Sequence, residues 1–217
     1  AQTNASGVVR IALDIRSHVI DGANRWVFSD VDASVVDHVP GPEHVLGVGA
    51  ASLSLLRTTP TTPVQSVLDL GTGSGVQLLG QIDSAQHIVA TDVHERALAL
   101  AQATIATTGA QHVEFRHGSW FEPIAGEKFD RIVANPPFVV GLPEVGHVYR
   151  DSGLNLDGAS ELVVSQAAEH LTPGGTAHLL AAWVHTPDES WQQRVASWLP
   201  KTGVSARSEE RRVGKEC

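Results

Sequence analysis

The sequence predicts an α/β fold, a mostly parallel sheet with helices on both faces. Three observations predict it. An apolar run at residues 64–70 carries Asp69 near its end and leads into three alternating glycines, Gly71, Gly73 and Gly75. From there, strand-like and helix-like patterns alternate, which calls for parallel pairing under a helical cover. The 217 residues, 42% of them hydrophobic, suffice for one such domain with its own core and an appendage.

The elements follow in order. Residues 8–20 and 26–36 are rich in β-formers and flank Asp21-Gly22-Ala23-Asn24. The alternation Val9-Arg-Ile-Ala-Leu-Asp-Ile and the Asp-Gly turn predict a hairpin, a small β-rich N-terminal appendage within residues 1–40 whose function is not legible. The main domain is assigned to residues 41–206. After Pro40, Gly41 and Pro42, residues 44–56 predict a helix broken around Gly47 and Gly49. Strands are predicted at 64–70, 87–92, 112–117, 129–134 and 175–184. Helices are predicted near 74–82, 94–108, 159–171 and 188–199. Gly109 is placed to end the second of these, and Pro173-Gly174-Gly175 to close the third. Pro187, Asp188 and Glu189 suit the start of the last, on which Trp191, Val195, Trp198 and Leu199 share an apolar face.

Bulk properties exclude several classes. A formal charge of −9 gives no basic footprint for holding duplex nucleic acid unaided. No apolar run reaches membrane-spanning length and no signal-peptide pattern opens the chain, so a cytoplasmic protein without a membrane partner is expected. Eleven histidines are scattered without ligand spacing, so no metal is expected. Neither a Gly-x-Ser-x-Gly elbow nor a P-loop lysine occurs, which leaves hydrolase and NTPase chemistry unsupported. Residues 207–217, RSEERRVGKEC, resemble the translation of a widely used sequencing adapter and are set aside as an artefact. They contain the one cysteine, so no disulfide is expected. With no methionine anywhere, the chain reads as a fragment open at both ends.

The glycine turn sets the chemistry. Glycine tolerates positive φ and lets a ligand approach bare backbone, and a following helix presents its first N–H groups. A nucleotide or nucleoside-like ligand fits. Asp92, ending the next apolar run, can accept hydrogen bonds from both ribose hydroxyls. The spacing is G-x-G-x-G and not G-x-G-x-x-G; these residues leave NAD and S-adenosylmethionine both open. Asn135-Pro136-Pro137-Phe138, after the run 129–134, decides between them. The prolines stiffen the backbone and remove donors. The Asn135 side-chain oxygen and the Pro136 carbonyl are two acceptors suited to a planar NH₂ group, and Phe138 is a flat face for it to stack on.

That tetrapeptide resembles the N/D-P-P-Y/F motif of class I S-adenosylmethionine-dependent methyltransferases acting on exocyclic or amide nitrogen, and the likeness spans about residues 42–184. It implies a Rossmann-like sheet, here C-terminally truncated because the family's closing antiparallel hairpin is not reached. It also implies S-adenosylmethionine as cofactor and N-methyl transfer as the reaction. By resemblance, Gly71 and Gly73, in the turn that Gly75 completes, lie against the methionine part. Asp69 reaches the ammonium and Asp92 takes the ribose; turn capping and helix capping are the plain alternatives for these two. Gly47-Val48-Gly49 falls where the family's preceding helix covers the cofactor, or else serves close packing. Ser119 stands where the family often has an acidic residue against the adenine amine, and Trp120 or Phe121 packs on the ring. Asn135, Pro136 and Phe138 are the catalytic set, and Tyr149, Arg150 and Asp151 are candidates for substrate contact or a polar loop. Asp157-Gly158 is similar to release-factor glutamine methyltransferases, whereas NPPF is similar to the small-domain ribosomal-RNA guanine methyltransferases. The acceptor is therefore a protein glutamine or an RNA base, and the partner ribosomal RNA or a translation-related protein. The competing functions are an NAD-dependent oxidoreductase and a non-catalytic cofactor-binding module. Oligomeric state is not legible.

Overall fold

The chain is described from a computed structural model at residues 2–3, 9–10, 12–32, 41, 43–137, 154 and 156–208. Strands β1 (Gln2–Thr3) and β2 (Val9–Arg10) pair antiparallel, as do β3 (Leu13–Ile20) and β4 (Ala23–Asp30). There follow α1 (Ala50–Thr58), β5 (Val64–Leu70), α2 (Val76–Leu79), β6 (Ala85–Asp92), α3 (Glu95–Ala106), β7 (Val113–His117) and β8 (Phe129–Ala134). The described chain continues through α4 (Gly158–Ala167), β9 (Leu171–Leu179) and α5 (Trp191–Trp198).

Strands β5 to β9 form the expected parallel sheet, in the order β7-β6-β5-β8-β9. Strand order reverses between β5 and β8, which opens a crevice over their carboxyl ends, where such sheets bind ligands. Both faces of the central strands β5, β6 and β8 are buried. Val67, Ile88, Ala90 and Val133 pack under Leu55 of α1, Leu79 of α2 and Ile105 of α3. Leu68, Val89 and Ile132 face the other way, onto Phe121, Ile124 and Val163 of α4.

The β3–β4 hairpin turns through two residues, Asp21 and Gly22, with φ of 49° and 74°. Positive φ at both central positions matches the right-handed twist of the strands, and Asp-Gly tolerates it. The hairpin packs on α3. Ile20 and Val27 enter the core, and Phe28 N–H donates to Thr104 Oγ1 at 3.1 Å. Asp30 accepts from the Arg96 guanidinium and from Val45 N–H. Burial opposes the Asp30 charge, but these donors outweigh it and hold the carboxyl below its usual range.

Several boundaries differ from the sequence pattern, among them the ends of α4 at Ala167 and β9 at Leu179, expected at 171 and 184. α1 starts at Ala50, because residues 44–49 are not helical and the N-cap, Gly49, is extended. A Cβ at Gly47 would sit 2.8 Å from Ser29 Oγ, so that glycine serves contact with the hairpin. α2 is only four residues long. Strand β9 begins before Pro173-Gly174-Gly175, which sits inside it at a register shift opposite Phe129 and Arg131. As β9 ends the described sheet, proline and a bulge cost little there. α5 starts at Trp191, three residues after the expected 188, at a capping box. Ser190 Oγ accepts from Gln193 N–H at 3.2 Å, and Gln193 Oε1 accepts from Ser190 N–H at 2.9 Å.

Candidate active site

A cleft of about 820 Å³ lies over the carboxyl ends of β5, β6 and β8. Its floor is the glycine turn. Gly71, Gly73 and Gly75 have φ of 71°, 56° and 80°, which only glycine adopts readily. Their roles divide. Gly71 and Gly73 line the cleft, with open space where a side chain would stand. A Cβ at Gly75 would meet the Ala101 backbone at 3.3 Å, so Gly75 lets the turn press onto α3.

Asp92, at the tip of β6, braces this floor. Its Oδ2 accepts from Gly73 N–H and its Oδ1 from His94 N–H, each at 2.9 Å, while its carbonyl accepts from Gly118 N–H at 3.0 Å. It lines the cleft and is half-buried, and each carboxylate oxygen keeps a second lone pair for a ligand hydroxyl. Burial raises its pKa, against the lowering effect of those N–H donors.

Asp69 is placed differently. It is 1% exposed, does not line the cleft, and accepts from Thr72 Oγ1 at 2.7 Å. Its Oδ1 has no hydrogen-bond partner among the described residues. Burial, with a contribution from the Asp92 charge, pushes its pKa from 3.8 up to about 7. A folded-state pKa raised above the unfolded value adds stability at low pH that is lost as pH rises. Stability should therefore fall between about pH 4 and pH 7 at this site. Asp69→Asn should flatten that part of the profile in denaturation titrations; an unchanged slope would assign the dependence elsewhere.

Ser119 and Trp120 line the wall after β7. Trp120 has φ of 49°, a left-handed backbone unusual for a bulky residue and of the kind found at ligand sites. Phe121 instead turns into the core, stacked on His170 at 4.7 Å, and is not a cleft residue. Asn135, Pro136 and Pro137 lie at the tip of β8 on the opposite wall. Asn135 Nδ2 donates to Ser52 Oγ of α1 at 3.5 Å, a long contact that does not engage Oδ1. Phe138, Tyr149, Arg150 and Asp151 lie outside the described residues.

Other cleft residues were not singled out from sequence. Gln77 and Ser52 are two, and Asp14, Arg16 and His18 on one face of β3 are three more. Polar residues alternating on a hairpin strand were the available signal for the last group. Gly47, Val48 and Gly49 do line the cleft. No group of three His, Cys, Asp or Glu placed to hold a metal occurs among the described residues, and no described helix is long and apolar enough to cross a membrane.

A glycine turn and an Asn-Pro-Pro tip facing one crevice over a parallel sheet define a class, and comparison with known proteins names it. The chain belongs to the methyltransferase small domain family, which matches residues 46–190. It is 36% identical over 130 residues to release factor glutamine methyltransferase of Xylella fastidiosa, covering 54% of this chain and 46% of that protein. It is 31% identical over 173 residues to ribosomal RNA small subunit methyltransferase C of Escherichia coli, covering 78% and 47%. The chain thus spans about half the length of these curated relatives. The T. thermophilus 16S rRNA N2 G1207 methyltransferase, solved with AdoMet and guanosine, aligns with a TM-score of 0.59 at 26% identity, over 77% of this chain and 42% of that one. A Pyrococcus furiosus methyltransferase shares the fold, with a TM-score of 0.54 at 22% identity, over 79% and 80% of the two chains.

Proposed function

We propose that the chain transfers a methyl group from S-adenosylmethionine to a planar NH₂ nitrogen. The observation that carries this is Asn135-Pro136-Pro137 opening onto the same cleft as Gly71, Gly73 and Asp92. The residues fit the cofactor: two glycines leave open space along the floor, and a carboxylate at the end of β6 suits a ribose. When bound, the cofactor supplies an electrophilic methyl on a sulfonium. The protein's part is position and electrostatics. An amide or aryl amine is a poor nucleophile because its lone pair is delocalised. Asn135 Oδ1 and the Pro136 carbonyl each accept one N–H, which turns the lone pair toward the cleft and favours positive charge on nitrogen as the new bond forms. As the N–C bond forms, the methyl–sulfur bond would break, the leaving group would be the uncharged thioether, and the nitrogen gives up one proton to solvent. Ser52 Oγ takes an N–H of the Asn135 amide and leaves its oxygen to the acceptor. In this reading residues 41–206 are the catalytic unit, the hairpin walls its cleft, and Phe138, Tyr149, Arg150 and Asp151 complete the acceptor side.

The acceptor is a glutamine amide of a translation-related protein or an exocyclic amine of ribosomal RNA, which implies action in the cytoplasm. The names of the relatives support both. Methyl-labelled cofactor with cell extract, followed by ribonuclease or protease, separates them. Label that survives protease and vanishes with ribonuclease excludes the glutamine. Calorimetry tests the cofactor: binding of NAD(H) with no response to S-adenosylmethionine would overturn the proposal. Asp92→Ala should weaken S-adenosylmethionine by about 1–3 kcal/mol, since it strips the ribose acceptor and the Gly73 brace together. Wild-type affinity in that variant would remove Asp92 from the site.

A further inference from the structure

The two edges of the β3–β4 hairpin differ. Its two-residue turn closes on Ile20 and Ala23, and the register then sets Val19 opposite Asn24, Ser17 opposite Trp26, Ile15 opposite Phe28 and Leu13 opposite Asp30. Residues of these last four pairs turn their backbone N–H and C=O groups outward, onto the two edges. On the β4 edge the outward donors are met: Phe28 N–H by Thr104 Oγ1, and Asp30 N–H by the Val45 carbonyl at 3.0 Å. On the β3 edge the outward groups of Leu13, Ile15, Ser17 and Val19 have no partner among the described residues. This strand is eight residues long and has neither proline nor lysine to blunt it. Such an edge is a template for a further strand.

The faces of β3 differ as well. Asp14, Arg16 and His18 line the cleft onto which Asn135 and Pro136 open. Leu13, Ile15 and Val19 point the opposite way, and are 38%, 48% and 72% exposed beside Trp26 at 49%. A strand added to β3 alternates in step with it. One set of its side chains enters the cleft, and the other lies on apolar surface. Charge then selects the occupant. Asp14, Asp30, Asp32, Glu43 and Asp92 line the cleft, and Arg16 is the only lysine or arginine to do so among the described residues. That lining, in a chain of formal charge −9, repels a phosphate backbone and attracts a basic polypeptide.

On the methyl-transfer reading above, we propose that the open edge of β3 docks the acceptor as an extended, basic segment of a protein, added to the hairpin as a third strand. Its acceptor glutamine and every second residue point into the cleft toward Asn135. The residues between them lie on Leu13, Ile15 and Val19. Main-chain bonds to the outward positions of β3 hold the segment in register, and the cleft takes the amide.

The test uses the full chain and a synthetic nonapeptide, Lys-Val-Lys-Val-Gln-Val-Lys-Val-Lys, whose glutamine and lysines share one face when extended. In the wild type without cofactor, saturating peptide should slow amide hydrogen exchange about 10-fold or more at Ile15, Ser17 and Val19. Exchange at Arg16 and His18, whose N–H groups already face β4, should not change. This readout needs no variant to fold. Ser17→Pro removes an outward N–H that no hairpin bond uses, so S-adenosylhomocysteine affinity should hold while the KM for the peptide rises about 10-fold. Unslowed exchange at the three amides, equal slowing by a peptide with glutamates in place of the lysines, or an unchanged KM in Ser17→Pro would each overturn the docking. So would protection that grows with protein concentration alone, which assigns the edge to a second copy, or methyl found on ribosomal RNA and never on the peptide. Failure of S-adenosylhomocysteine to bind the wild type would overturn the cofactor reading instead, while the exchange measurement judges the edge by itself.

Discussion

Replacing Asn135 with alanine is expected to cut methyl-transfer turnover by a factor on the order of 100 or more while cofactor affinity stays nearly constant. Asn135 and Asp92 stand on different strands, and the N–H bonds that shape the nucleoside end come from Gly73, His94 and Gly118. None involves Asn135. On the proposed function, what the variant loses is one of two acceptors for the substrate nitrogen, made strongest as positive charge develops. Removing one preorganised polar group of that kind costs about 3 kcal/mol in the barrier. Single-turnover rates at saturating cofactor, with cofactor affinity measured by calorimetry, give the split. Unchanged turnover would leave Asn135 as a turn former at a strand end.

The second large effect concerns stability. Asp157, 4% exposed, accepts from Arg194 Nε and Nη2 at 2.6 and 2.7 Å and from Val184 N–H at 2.9 Å. One carboxylate thus ties α5 and the segment after β9 to the start of α4. Asp157→Ala should lower stability by about 3 kcal/mol, since a fork-shaped charged pair and a backbone donor lose their acceptor together. For a chain of this length that corresponds to a fall in Tm of roughly 6–12 °C. Trp183 and Trp191 stack at 5.1 Å beside this junction, so tryptophan fluorescence should report the loosening of α5. The Arg194 hydrogen bonds, working against burial, hold the Asp157 carboxyl below its usual range. Its contribution is therefore present above the ordinary carboxylate pKa and lost as pH falls through the lowered one. A variant as stable as the wild type at pH 7 would show α5 to be held by apolar contact alone.

The elements legible in the sequence were those whose ends carry their own chemistry. Strands at 64–70 and 129–134 were bounded by a glycine turn and an Asn-Pro-Pro, so pattern and punctuation agreed. Pro173-Gly174-Gly175 misled because the same residues that stop a helix are tolerated in an outer strand with a bulge. The start of α1 was misplaced because residues 44–49 are apolar enough for a helix, yet Gly47 is drawn to Ser29 of the hairpin and Ser74 Oγ donates to the Leu46 carbonyl. Only tertiary contact decides that. Gly71, Gly73, Asp92 and Asn135 were readable as candidates from their residue types and positions, and all four line one cleft. Gln77 and Ser52 were not, because they reach the cleft through a side-chain bond between α2 and α1, which no spacing reveals.

The hairpin docks on surface far along the chain. Phe28 bonds to Thr104, 76 residues away, and Asp30 to Arg96, 66 away. During synthesis, β3 and β4 emerge well before α3 exists to receive them, at rates of about 5–20 residues per second. For some seconds the nascent hairpin exposes Ile20 and Val27, which the finished fold buries. Contacts of such long sequence separation form late, after the loop between them has closed. The wall that carries Asp14, Arg16 and His18 is consequently made well before α3 and reaches its place late.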